Sequence, residues 1–190
     1  MPKDKKLFSK IFIIFILLLM VVGFSVPLFN LGGNGSTDPT KKAEPRLCTT
    51  DSDCYLVCDD KPLTILCSQN LCLQNACNEY ALYPFQEMPV NFNLNVEIDN
   101  AEIDLASRTD PKDLMVKFSD KIQVFSWGLP LVFILEKVDM TLNENCLTVD
   151  NQQYCDNGEK KLQFLLNGNE TLPNPNYYPK EGDKVEIKYE

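Results

Sequence analysis

The chain contains no histidine in its 190 residues. That absence removes Ser-His-Asp and Cys-His nucleophilic catalysis, zinc sites built on imidazole, and histidine-based pH sensing. No Cys-X-X-Cys pair occurs among its 8 cysteines, so zinc ribbons, iron–sulfur clusters and thioredoxin-like dithiols lack their usual spacing. Basic residues are scarce, with 18 Lys and Arg against 27 Asp and Glu and a net charge of −9. The first thirty residues carry Lys3, Lys5, Lys6 and Lys10 but only Asp4, so the whole-chain −9 becomes −12 for the remainder. Such a surface repels nucleic acid and anionic headgroups, and no basic patch offsets it. Asp51 and Asp53 beside Cys54 are not followed by the glycine and glutamate of a calcium loop, and read as turn caps. Adjacent carboxylates such as Asp59-Asp60 do not form an acid/base pair. These exclusions point to a protein that is not an enzyme and uses no metal or cofactor.

What the chain does have is one long apolar run. Ile11 to Phe29 carries no charge and follows the four lysines. About twenty apolar residues make a helix long enough to cross the ~30 Å hydrocarbon layer. Basic flanks stay in the cytoplasm, so residues 1–10 read as a cytoplasmic basic segment, 11–29 as a transmembrane anchor in the lipid bilayer, and the remainder as exterior. A cleaved signal peptide is the alternative, with small residues at Gly23-Phe24-Ser25, although the run exceeds the ~7–15 residues of a secretory apolar core. Residues 30–46, rich in Gly, Ser, Thr, Pro and charge, read as a flexible linker.

Six cysteines then crowd residues 47–80: Cys48, Cys54, Cys58, Cys67, Cys72 and Cys77. An even number in an exported segment implies disulfides. The aliphatics here (Leu56, Val57, Leu63, Ile65, Leu66, Leu71, Leu73) are too few for a core, so a small disulfide module is expected, its pairing open. Reduction is expected to unfold this module first. Cys146 and Cys155 flank Asp150-Asn151, residues that tolerate a tight hairpin turn. Counting outward from that turn makes 146/155 a non-hydrogen-bonded pair, whose Cα separation of about 4.5 Å suits a cross-strand disulfide.

Residues 90–190 alternate mostly with period two. Phe92, Leu94, Val96 and Ile98 read as a strand, Asp99-Asn100 as its turn, and Ala101, Ile103 and Leu105 as the return strand. Tyr80 to Met88 is expected to join module to domain. Leu114, Val116 and Phe118, then Ile122 and Val124, alternate again around a turn at Ser119-Asp120. Pro130 to Val138 reads as the one helix, apolar nearly all round, with Trp127 packed at the strand-to-helix corner. Leu162 to Leu166 leads into the hairpin turn Asn167-Gly168, with Leu172 closing the return, and Val185, Ile187 and Tyr189 mark a last strand.

One helix among hairpins is an α+β layout. The stretch Leu165-Leu166-Asn167-Gly168, then Tyr178 and Glu181-Gly182-Asp183-Lys184-Val185-Glu186-Ile187, resembles the closing half of β-grasp domains of the sulfur-carrier and soluble-ligand-binding branches. The resemblance implies a mixed sheet with one packed helix. The chain ends Lys188-Tyr189-Glu190 rather than in the Gly-Gly tail of sulfur carriers, so carrier function does not transfer. The whole chain is also similar to membrane-anchored archaeal exported proteins with a cysteine-rich insert. Asn34-Gly35-Ser36 and Asn169-Glu170-Thr171 are N-glycosylation acceptor patterns. A protein or small-ligand partner for an exterior binding or envelope-assembly module is the expected function. The rival is a redox or metal protein using labile cysteines.

Overall fold

The structure, a computed structural model, describes residues 43–190, which form one unit. The expected anchor at 11–29, most of the linker and Asn34 lie outside the described residues. Among the described residues, no helix is long and apolar enough to cross a membrane.

Among the described residues the fold is mostly sheet, with one short α-helix and four disulfides. A 3-10 turn, Asp51–Cys54, opens the cysteine-rich part. Two small hairpins follow: β1 (Leu56–Cys58) with β2 (Lys61–Leu63), and β3 (Cys67–Ser68) with β4 (Leu71–Cys72). Their two-residue turns are Asp59-Asp60 (φ 51° and 60°) and Gln69-Asn70 (φ 49° and 61°). Positive φ at both central residues gives the turn whose twist matches the flanking strands, and short polar side chains tolerate it best. Cys48, Cys54, Ile65, Cys67 and Cys72 form a small buried cluster around the staples.

The domain begins earlier than the period-two pattern suggests. β5 runs from Phe85 to Ile98, so its first residues occupy the segment expected to be a joining stretch. Its pairing slips between Phe85 and Val90, a bulge containing Pro89. Proline donates no backbone hydrogen bond, so a bulge is where a strand accommodates it. The turn at Asp99-Asn100 forms, with φ 53° and 63°, but the return strand β6 covers only Ala101–Glu102. Leu105 is buried after leaving the sheet, and β5 instead pairs with a later strand. The chain continues through β7 (Val116–Phe118), β8 (Ile122–Ser126) and the helix α1 (Leu131–Glu136).

α1 is shorter than the apolar run 130–138. Lys137 caps it, and Asp139 at φ 56° takes the chain away, while Val138 remains buried. β9 (Met140–Leu142), β10 (Cys146–Val149) and β11 (Gln152–Cys155) form a separate three-stranded sheet, with Cys146 opposite Cys155. β12 (Leu162–Leu166), β13 (Asn169–Thr171) and β14 (Lys184–Tyr189) complete the main sheet. β13 stops at Thr171, leaving Leu172 exposed rather than closing the strand.

The main sheet runs β13-β12-β14-β5-β8-β7, with β6 also on β5. β5 and β14 lie parallel at its centre, Asn93 opposite Lys184 through Ile98 opposite Tyr189; the other pairs are antiparallel. Leu131, Ile134 and Leu135 of α1 share one buried cluster with Phe92, Val96, Phe164 and Ile187. Each large apolar side chain so buried contributes about 1.5–3 kcal/mol. Leu66 belongs to this main cluster too, so the cysteine-rich part contributes to the domain core.

Candidate functional site

Period two along β8 dictates which side chains face outward. Ile122, Val124 and Ser126 are buried, so Gln123, Phe125 and Trp127 point the other way. Trp127 is 72% exposed, correcting the expectation that it packs at the strand-to-helix corner. The pleat decided it: Gly128, at φ +66°, turns the chain immediately afterwards, and Leu129 takes the buried position instead. The signal was in the sequence, since counting by two from Ile122 puts Trp127 outside.

Two further segments meet Trp127. The β5 bulge pushes Met88 outward to 82% exposure, with Gln86, Pro89 and Val90 beside it. From the other side comes Tyr178-Pro179. This loop is fixed by several bonds: Leu131 N–H donates to the Tyr177 carbonyl and Val132 N–H to the Pro175 carbonyl, both at 2.8 Å. These are free amides of the first turn of α1, satisfied here by a loop. Tyr177 donates its hydroxyl to Asp183 Oδ2 at 2.6 Å, and Lys180 N–H donates to the same oxygen at 2.8 Å. Burial opposes ionisation of Asp183, but hydrogen bonds from Asn167, Tyr177 and Lys180 outweigh it and lower its pKa. Burial, then the bond to Asp183, pushes the Tyr177 phenol up to about 12.

Between these walls lies an open cleft of about 450 Å³, mostly apolar, bounded by Met88, Pro89, Trp127, Tyr178 and Pro179, with Lys180 and Glu181 at its rim. That size is within the range of small-ligand sites. Glu181 is engaged, accepting from Asn91 N–H at 2.7 Å. Gln86 Nε2 is buried and has no hydrogen-bond partner among the described residues.

A second, polar pocket of about 360 Å³ sits where the cysteine-rich part meets α1. The charges at its centre are spent on one another. Lys137 Nζ reaches Asp51 Oδ1 at 2.6 Å and Asp113 Oδ1 at 3.0 Å, and donates to the Cys67 carbonyl at 2.9 Å. Asp51 also accepts from the backbone N–H groups of Cys67, Leu114 and Met115. Burial raises the Asp113 pKa, although Lys137 opposes the shift. Glu136 accepts from Ser68 Oγ at 2.7 Å and from Gln69 N–H. This is a clamp joining two parts of the fold.

Every cysteine is paired: Cys48–Cys67, Cys54–Cys72, Cys58–Cys77 and Cys146–Cys155. Cys146 and Cys155 have a Cα separation of 4.1 Å, the close approach of the non-hydrogen-bonded position. The sulfurs of Cys48, Cys54 and Cys72 cluster within 4.8 Å, but disulfide bonding leaves no thiolate there for a metal. Asn169 is exposed on β13, and Asp59-Asp60 forms an exposed hairpin turn.

Asp53 shows a different use of a carboxylate. It accepts from Thr49 N–H at 2.8 Å, Thr50 N–H at 3.0 Å and the Thr49 hydroxyl at 2.8 Å, which hold its pKa at about 2 rather than 3.8. A lowered folded-state value gives stability that is present above the unfolded value and is lost as pH falls through about 2. Asp113 works oppositely: its raised value makes stability fall as pH rises above 3.8. Asp53→Asn is expected to flatten the loss of stability between pH 3.8 and about 2, read from urea midpoints at both ends of that range. An unchanged slope would remove Asp53 from the acid response.

Comparison with family models, curated proteins and solved structures finds no match.

Proposed function

We propose that the chain is a membrane-anchored extracytoplasmic binding module that presents the Met88–Trp127–Tyr178 cleft to a partner. The cleft carries this reading: a soluble surface gains nothing from leaving a tryptophan 72% and a methionine 82% exposed side by side. Four disulfides suit the oxidising side of a membrane. The lysine-flanked run 11–29 supports the anchor and its direction. Support for a β-grasp-like domain comes from the strand order β8-β5-β14-β12-β13, with first and last strands parallel at the centre and the helix between the halves. Asn169, on an exposed edge strand, is the glycan acceptor in this scheme, together with Asn34.

A photo-crosslinking benzoyl-phenylalanine at Met88 tests the reading in intact cells. The control carries it at Leu172, which is as open (87% exposed) and lies outside the cleft. A discrete adduct from position 88 and none from 172 is expected. No adduct from 88, or equal adducts from both, overturns the proposal.

A further inference from the structure

We propose that Lys137 and Asp51 are reactants as well as partners: in the folded protein they condense to an isopeptide bond between Lys137 Nζ and Asp51 Cγ, releasing one water. The bond is independent of the cleft and of what occupies it. An amine and a carboxyl condense where they are held in contact and kept from bulk water, and this clamp does both. Lys137 Nζ stands 2.6 Å from Asp51 Oδ1, one bond short of the carbon it attacks, and the two side chains are 6% and 0% exposed. Both ends are fixed: Asp51 is a buried residue of the 3-10 turn, and Lys137 is the C-terminal cap of α1. Reactants held in this way gain effective molarities of about 10⁵ M or more.

The surroundings supply the rest of the chemistry. Asp113 Oδ1 lies 3.0 Å from Lys137 Nζ, and burial raises its pKa, so it takes a proton from the ammonium and passes it to Asp51 Oδ1. The freed Nζ lone pair forms the bond to Cγ, and the carbonyl electron pair moves onto Oδ2. Two donors already point at that oxygen, the N–H groups of Leu114 at 3.0 Å and Met115 at 2.9 Å, an arrangement that stabilises an oxyanion. Oδ1 then leaves with two of the three ammonium protons as water, the double bond to Oδ2 re-forms, and the third proton stays on the amide nitrogen. Ammonium plus carboxylate give amide plus water, with Asp113 unchanged and no other reactant. A surface ion pair has neither the oxyanion donors nor the proton carrier. Condensation also removes two opposite buried charges, and with them the cost of keeping charge out of water. The polar pocket beside Lys137 and Asp113 gives the water a way out. The bond joins residues 86 positions apart and ties the cysteine-rich part to α1 by a link that no reductant opens. In a Lys137→Met protein no amine is present, so Asp51 stays a buried, unpaired carboxylate.

Intact mass of the purified full-length protein, denatured, reduced and alkylated, reads the bond directly. The expected mass is lower than that of the uncross-linked chain by about 18 Da, one water, and digestion should yield a branched peptide joining Asp51 to Lys137. Lys137→Arg provides the reference, since it keeps a cation in place but offers no nucleophile, and it should show no such loss once the substitution is allowed for. Asp113→Asn keeps both reactants and removes the proton carrier, so the cross-linked fraction at purification should fall about tenfold or more. Far-ultraviolet dichroism checks that both variants are folded. An uncross-linked mass for the parent protein overturns the proposal, as does a water loss that maps to other residues or persists in Lys137→Arg. An equal cross-linked fraction in folded Asp113→Asn overturns the proton route through that residue.

Discussion

Lys137→Met is expected to destabilise the protein by about 3–5 kcal/mol, because removing one partner of a buried ion pair leaves the other charge uncompensated. Lys137 is the cation between Asp51 and Asp113, and the Asp51 side chain is fully buried. Asp51 cannot reach bulk water without parting the cysteine-rich segment from the sheet, since it also holds Leu114, Met115 and Cys67 through their amides, whereas Asp113 borders the polar pocket. For a domain of this size the loss corresponds to a melting temperature roughly 6–20 °C lower. Adding Asp113→Asn to the variant should recover part of the loss by removing one buried charge. Salt should not change the difference, whereas the exposed Lys160–Asp99 pair is screened. A Lys137→Met protein within about 1 kcal/mol of the parent would show that water reaches the cluster and that the pairing contributes little.

The second large effect comes from the staples. Replacing Cys54 and Cys72 with alanine removes a bond closing a separation of 18 residues between buried cysteines, and about 3 kcal/mol should be lost. The sequence alone suggests that the module opens by itself on reduction. The structure argues for shared cooperativity, because Leu66 lies in the main core and Asp51 is clamped to Lys137. Loss of the Cys54–Cys72 bond should therefore lower the midpoint of one transition seen by both far- and near-ultraviolet dichroism. Two separated transitions would mean that the clamp does not couple the parts. Losing Cys146–Cys155, with a separation of 9, should cost less, about 2.5 kcal/mol, as its loop is shorter.

What could be read from the sequence was whatever a local rule decides. Asp150-Asn151 and Asn167-Gly168 each bring positive φ to a two-residue turn, and the turn then fixes register, so Cys146 meets Cys155 by counting. Alternation placed Val185, Ile187 and Tyr189 inside. Non-local pairing escaped it. Ala101 to Leu105 has the pattern of a return strand, but the long antiparallel partner of β5 is β8, chosen by packing across the sheet. The turns at Asp59-Asp60 and Gln69-Asn70 join strands of three and two residues, too short to show the alternation that marks a hairpin. The cleft was half legible: parity exposes Trp127, whereas its meeting with Met88 and Tyr178 depends on a bulge and on a loop held by Asp183.

The central proposal is an anchored exterior module, its cysteines oxidised in four disulfides, that presents a binding cleft. Intact mass of the protein taken from its host membranes, with a thiol-blocking reagent added before and after reduction, tests it most directly. The account predicts a mass that includes residues 1–30, no blocked thiol in the native protein, and all 8 cysteines blocked once reduced. Blocked thiols before reduction, or a mass lacking the apolar run, would contradict it.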